Sequence, residues 1–270
     1  MSQTTTCYKH PDRETGVSCQ RCDKYICVDC ASPGAIGFLC PEDGKDRVKI
    51  HRPSFAKSPL QAAPVTIVLI VINVLVYIAE QLMPDLIDQL LYAKYLQDSE
   101  YGSILRVLTS SFAHSTDQIT HILFNMYSLY VLGTIIEPMI GKLRFTALYL
   151  LSAFGGGIGV LLLADFGISV VGASGAVFGL MGAYLVLLRA LKLDASQMYV
   201  LIGINLFLGF LPGIAWQSHV GGLVVGAGVA FVLSRTRRRE QQSTQIGLLV
   251  GIVVILVGAW VYGNSILPIG

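Results

Sequence analysis

"VVGASGAVFGLMG", Val170 to Gly182, sets one hydroxyl, that of Ser174, among small apolar residues in a stretch that otherwise reads as membrane-spanning. Gly172/Ala176 and Gly175/Gly179 are pairs of small residues four apart, a spacing that lets membrane helices pack closely without any chemistry. Taken alone, the segment reads as helix glue. Whether Ser174 does more depends on what the rest of the chain brings to the same membrane depth.

The surroundings are those of a membrane protein. Over 270 residues, 53% are hydrophobic and only 13% charged, and the mean hydropathy is +0.63, which excludes an ordinary soluble globule. A net charge of +2 gives no electrostatic basis for nucleic-acid binding. Seven apolar segments follow one another, at about 65–83, 119–137, 145–164, 171–190, 197–213, 218–234 and 246–263, the fifth being the shortest. Each is read as crossing the ~30 Å hydrocarbon layer. With the N-terminus inside, thirteen Lys and Arg fall in inner loops and only Lys94 and Arg106 in outer ones, so the positive-inside rule predicts N-terminus cytosolic and C-terminus external. The loop from Pro84 to Gln118 is external and carries the apolar stretches "LIDQLLYAKYL" and "SILRVLTSSFAH", which predict an ordered element at the membrane surface.

Polar groups inside such segments are expensive and mark function. His121 and Asn125 open the second span, Ser174 the fourth and His219 the sixth. These three spans run in the same direction, so topology places all four groups near the outer ends. His121 and Asn125, four apart, share one helix face. Ser174 supplies a nucleophile, His219 a base, and Asn125 with the free N–H groups of a helix start supplies donors of the oxyanion-hole kind. The glycines beside Ser174, Gly172 and Gly175, let a substrate carbonyl approach the backbone. No Asp or Glu is expected at this depth in a neighbouring span, which leaves a Ser-His dyad.

"GASGAVFGLMG", "HILFNMYSLYVLG", "GKLRFTALYLLS" and "WQSHVGGLVVGAG" together resemble the rhomboid family of intramembrane serine proteases, over about residues 60–263. The resemblance implies an all-α membrane protein with a six-helix core over 65–234 and, in 235–270, a basic loop and a seventh helix. It implies a serine endopeptidase that cleaves transmembrane segments of proteins within the lipid bilayer. Ser174 would be its nucleophile, His219 its base, and His121, Asn125 and the Ser174 amide its oxyanion hole. Glu137, Gly222 and Gly226 match structural positions. The chain departs from many bacterial members at Leu105, where Trp is common before Arg106, in the six residues between His114 and His121 where four are usual, and at Phe178, often Tyr, which still stacks on the histidine. The expected location is a bacterial plasma membrane. A non-proteolytic binder or chaperone of client helices is the alternative, disfavoured because both Ser174 and His219 are present. A transporter would show paired repeats or mid-membrane carboxylates.

All six cysteines fall in the first forty residues. "MSQTTTCYKHPDRETG" carries no apolar run of the signal-peptide kind, so this head, residues 1–44, is expected in the cytosol, where reduced thiols favour metal over disulfides. Cys7, His10, Cys19, Cys22, Cys27, Cys30, Cys40 and Asp43 form four close ligand pairs that suit two closed tetrahedral zinc sites, with one ion as the alternative. Their spacing suggests a cross-brace, Cys7, His10, Cys27 and Cys30 on one ion and Cys19, Cys22, Cys40 and Asp43 on the other. It resembles a B-box-type zinc finger. Such sites are structural, and the head is expected to recruit a cytosolic protein partner or regulate the protease. A basic linker, 45–64, joins it to the spans.

Overall fold

In the computed structural model, the residues described are 5–33, 38–44, 59–93, 103–165, 168–211 and 213–265. The chain divides into two units, residues 1–56 and 57–270. Most of the expected basic linker lies outside the described residues; its last part is helical, α1 at Pro59–Ala62 followed by α2 from Pro64.

The first unit is a small β structure. Strand β1 (Thr6–Cys7) pairs antiparallel with β2 (His10–Glu14), and β3 (Ser32–Pro33) with β4 (Phe38–Leu39). Its buried apolar core, among the described residues, is Ile26 and five of the cysteines. A core so small needs a staple to hold it.

The second unit is helical. Helices α2 (Pro64–Leu82), α5 (Ile119–Ile140), α6 (Lys142–Leu163), α9 (Trp216–Arg235) and α10 (Gln242–Ser265) are each long and apolar enough to cross a membrane. Two of the seven expected spans are shorter: α7 (Ser174–Ala190) has 17 residues and α8 (Ser196–Leu208) only 13. At 1.5 Å per residue α8 measures about 20 Å, short of the ~30 Å layer, because its helix stops at Gly209 instead of running on to residue 213. The chain is an integral, multi-pass membrane protein.

Loop 84–118 contains short elements of its own. It holds α3 (Leu86–Leu90), β5 (Tyr92–Ala93) and α4 (Ser103–Thr109), while 94–102 lies outside the described residues. The all-helical expectation is amended here too. Strand β5 pairs antiparallel with β6 (Ser169–Val170), Tyr92 opposite Val170 and Ala93 opposite Ser169. That short ladder ties the loop to the segment that leads into Ser174.

Two local devices position the helices. Pro64 opens α2, since its missing N–H is one that a helix start leaves unpaired anyway. The next two N–H groups go to the buried carboxylate of Glu137 on α5, from Val65 at 3.0 Å and Thr66 at 2.8 Å, and the Thr66 hydroxyl donates to it as well. An anion at the positive end of a helix is favourable, more so out of water. Elsewhere α6, α7 and α9 touch backbone to backbone through glycine. A Cβ on Gly222 would overlap the Gly175 carbonyl, and one on Gly226 the Gly179 carbonyl. Around this contact lies the main core, with Leu129, Ile136, Phe145, Leu148, Tyr149 and Leu180 fully buried.

Candidate active site

Ser174 is the first residue of α7. The chain enters that helix through Gly172, whose φ of +118° is one that L side chains rarely adopt. His219 lies in the first turn of α9 and is 8% exposed. Gly175 on Gly222 and Gly179 on Gly226 are contacts spaced four residues apart on both helices, so they fix the register of α7 against α9. That register brings the Ser174 Oγ and the His219 Nε2 to 3.1 Å, hydrogen-bond distance. Phe178, one turn into α7, lies flat on the imidazole, ring centroids 4.1 Å apart and planes 11° from parallel. Serine, imidazole and aromatic ring thus occupy one contact between two helices.

The other polar groups converge from α5. A Cβ on Gly172 would stand 2.7 Å from the His121 Nε2 and 3.8 Å from the Asn125 Nδ2, so both nitrogens border the backbone just before Ser174. One N–H of the Asn125 amide donates to the His121 carbonyl at 2.9 Å, and the amide nitrogen carries a second. The Gly172 N–H donates to the Ser110 carbonyl at 2.8 Å, which fastens this segment to the end of α4. Together these residues line a cavity of about 670 Å³ with Ser110, Gln118 and Ser218. Ser174, His219 and the side-chain donors therefore face one space large enough for a few residues of extended chain.

Three features escape sequence reasoning. Ser218 lies against the Cα surfaces of both Gly156 and Gly175, where a Cβ on either would come within 2.8 Å of its hydroxyl; a serine beside a histidine carries no signal of that wedge. Arg106 anchors the loop between α2 and α5, its Nη1 donating to the Asp88 carbonyl at 2.8 Å, while Leu105 is exposed. The third is a correction. A carboxylate does sit at the level of these groups on a neighbouring helix: Glu80, 1% exposed in the last turn of α2. It accepts the backbone N–H of His114 at 3.1 Å, and His114 in turn lies 5.3 Å, ring to ring, from His121. Among the described residues the buried His219 Nδ1 has no hydrogen-bond partner, so Glu80 does not complete a triad. The signal for Glu80 was available, an ionisable residue within an apolar span.

The cysteine-rich unit contains two groups of potential ligands, Cys7, His10, Cys27 and Cys30, and Cys19, Cys22, Cys40 and Asp43, with the ligand atoms of each within 4.8 Å of one another. All six thiols are free. Tetrahedral zinc–thiolate bonds of ~2.3 Å put ligand atoms roughly 3.8 Å apart. The Cys22 and Cys40 sulfurs are 3.7 Å apart, and the His10 Nδ1 is 3.8, 3.5 and 3.4 Å from the sulfurs of Cys7, Cys27 and Cys30. Hydrogen bonds from the thiols of Cys22, Cys40 and Cys19 hold the Asp43 carboxyl below its usual range, as an anion suited to a cation. Donor types and spacing both fit zinc.

Comparison with known proteins bears on the second unit. The Rhomboid domain model matches residues 101–236. RHOMBOID-like protein 6, mitochondrial, of Arabidopsis thaliana is 38% identical over 135 residues, 47% of this chain and 43% of that protein. YdcA of Bacillus subtilis (strain 168) is 33% identical over 145 residues, 52% of this chain and 72% of the relative. Rhomboid protease GluP of the same bacterium is 30% identical over 168 residues, 60% of this chain and 32% of that protein. The chain spans less than half the length of RHOMBOID-like protein 6 and about a third of that of GluP. Plant and bacterial relatives appear side by side, so they do not single out a bacterial membrane. The matched stretch contains α4 to α9, with Ser174, His219, His121 and Asn125 among its residues. On this evidence the chain belongs to the rhomboid family.

Proposed function

We propose that this chain is an intramembrane serine endopeptidase that cleaves transmembrane segments of other proteins. The observation that carries the reading is the 3.1 Å contact between the Ser174 Oγ and the His219 Nε2 under the Phe178 ring. A relative named as a rhomboid protease supports it. Ser174 attacks the scissile carbonyl while His219 takes its proton, and the same proton passes to the leaving amine nitrogen as the peptide bond breaks. The oxygen that becomes negative is held by the Ser174 amide, Asn125 and His121. Water then adds to the Ser174 ester, His219 again taking the proton and passing it to the Ser174 Oγ as the ester bond breaks and the carboxylic acid product leaves. Gly172 and Gly175 admit the substrate backbone, and Phe178 and Gly222 hold the imidazole in register.

The same reading makes all seven apolar helices spans, six in the core and α10 as the seventh, with the N-terminus cytosolic and the C-terminus external. The head, residues 1–44, is a B-box-type domain in which Cys7, His10, Cys27 and Cys30 hold one structural zinc ion and Cys19, Cys22, Cys40 and Asp43 a second. It serves the cytosolic side, as a docking point for a protein partner. A fluorophosphonate probe tests the dyad. It labels the parent protein in membranes and fails to label Ser174→Ala, and neither Ser174→Ala nor His219→Ala cleaves a reporter span. Cleavage retained in either variant rules the mechanism out.

A further inference from the structure

The last helix is held more tightly than a lipid anchor requires. At one end of α10 the Gln245 side chain, 5% exposed, accepts from the Arg144 Nε on α6 at 2.9 Å. It donates to both the carbonyl and the hydroxyl oxygen of Thr236, which follows α9, each at 2.8 Å. At the other end a Cβ on Gly263 would come within 2.6 Å of Leu161 on α6. A satisfied buried amide is specific in direction, and a glycine without room for a methyl is specific in depth. Together they set both the rotation and the height of α10 against α6.

That rotation aims one stripe of α10 at the catalytic unit. Leu256 is 6% exposed, whereas Val254 and Ile255 beside it are 64% and 70% exposed. Leu256 shares a buried cluster with Val107 of α4, Tyr92 of β5 and Leu161 of α6; Trp260 packs against the cluster from α10, and Ile168 and Val170 from the β6 side. Val107, Ile168 and Val170 also line the cavity above Ser174. Val107 sits directly on Gly157, one helical turn before Leu161 on α6, and a Cβ there would overlap it. Val107 therefore lines the cavity as part of its wall, while Leu256 and Trp260 belong to the same apolar cluster without lining it.

We propose that α10 backs this wall and thereby sets how large a substrate side chain the cavity accepts beside Ser174. Leu256 and Trp260 are positioning residues: they act through Val107 and the β5–β6 ladder, without touching substrate. The proposal rests on the proteolytic reading and extends it to a helix that the reading leaves without a role. Removing the leucine side chain takes the support from behind the wall, which then yields to a bulkier residue. Hydrophobic pockets discriminate by roughly 10- to 200-fold per methylene-sized change, so a softened wall changes relative rates several-fold.

The full chain in liposomes is given two fluorogenic transmembrane peptides that differ only in carrying Ala or Phe just before the cleaved bond. In Leu256→Ala the Phe-to-Ala ratio of kcat/KM rises about fivefold. Trp260→Phe shifts it the same way by less, Leu256→Met restores the parent ratio, and Val254→Ala keeps it. A role in stability alone lowers both rates together and leaves the ratio fixed. A ratio in Leu256→Ala that falls or stays within about twofold of the parent, with the parent active, overturns the proposal. A parent chain that cleaves neither peptide overturns the proteolytic reading, and this one with it.

Discussion

Gly222 of α9 lies so close to the Gly175 carbonyl of α7 that a side chain on Gly222 would occupy the place of that oxygen. Ser174 precedes Gly175 and His219 lies one turn before Gly222, so the distance between the serine hydroxyl and the imidazole is set by how nearly two backbones can touch. Gly222→Val forces α9 away from α7. A displacement of ~1 Å at a catalytic pair costs on the order of a hundredfold in rate, and reporter cleavage and fluorophosphonate labelling are both expected to fall by at least that much. Near-parent labelling in a well-expressed Gly222→Val protein would show that the glycine contact does not set the geometry.

The Phe178 ring covers one face of His219. An aromatic contact of this kind is worth about 0.5–1.5 kcal/mol, and if it orients the imidazole, its loss in Phe178→Ala slows kcat by roughly three- to tenfold. Phe178→Tyr keeps the stack and is expected to run at the parent rate. Steady-state kinetics on one transmembrane substrate distinguish the two outcomes, since a variant affected only in KM would point to substrate contact instead.

Glu137→Gln tests the cap on α2. The amide presents a single acceptor oxygen and no charge where the carboxylate takes three donors. The expected cost is about 1–3 kcal/mol, read as a lower midpoint of thermal unfolding in detergent with cleavage per folded molecule unaltered. An unshifted midpoint would mean that water satisfies the start of α2 equally well.

Metal analysis of the purified chain is expected to find two zinc ions per molecule. Asp43→Ala removes one ligand of the second group only, so the content falls to about one, while Asp43→Cys retains both. Two ions surviving in Asp43→Ala would exclude the carboxylate as a ligand.

What could be read in advance was whatever depends on composition and periodicity. The apolar segments appear as helices because only a helix satisfies the backbone of a single segment in lipid from within that segment, and their ends moved by only a few residues. Ser174, His219, His121 and Asn125 stood out because polar groups in apolar segments are rare, and they do surround one cavity. The β5–β6 ladder was not readable: two-residue strands have no period, and their pairing joins segments far apart in sequence. The early end of α8 at Gly209 was hidden by the apolar residues that follow it. The place of Glu80 is not legible because its partner is a backbone N–H, which no side-chain pattern announces.

The carboxylate that closes the first long helix also has an address in time. Val65 and Thr66 find their acceptor 72 and 71 residues further along the chain. At 5–20 residues per second a ribosome takes roughly 4–14 seconds to cover that interval. Throughout that delay α2 is made while its first amides lack their final partner, and they are completed only when Glu137 has been synthesised and α5 has packed beside it. The start of α2 is therefore a checkpoint in assembly: the first long helix reaches its finished form only after the second has arrived.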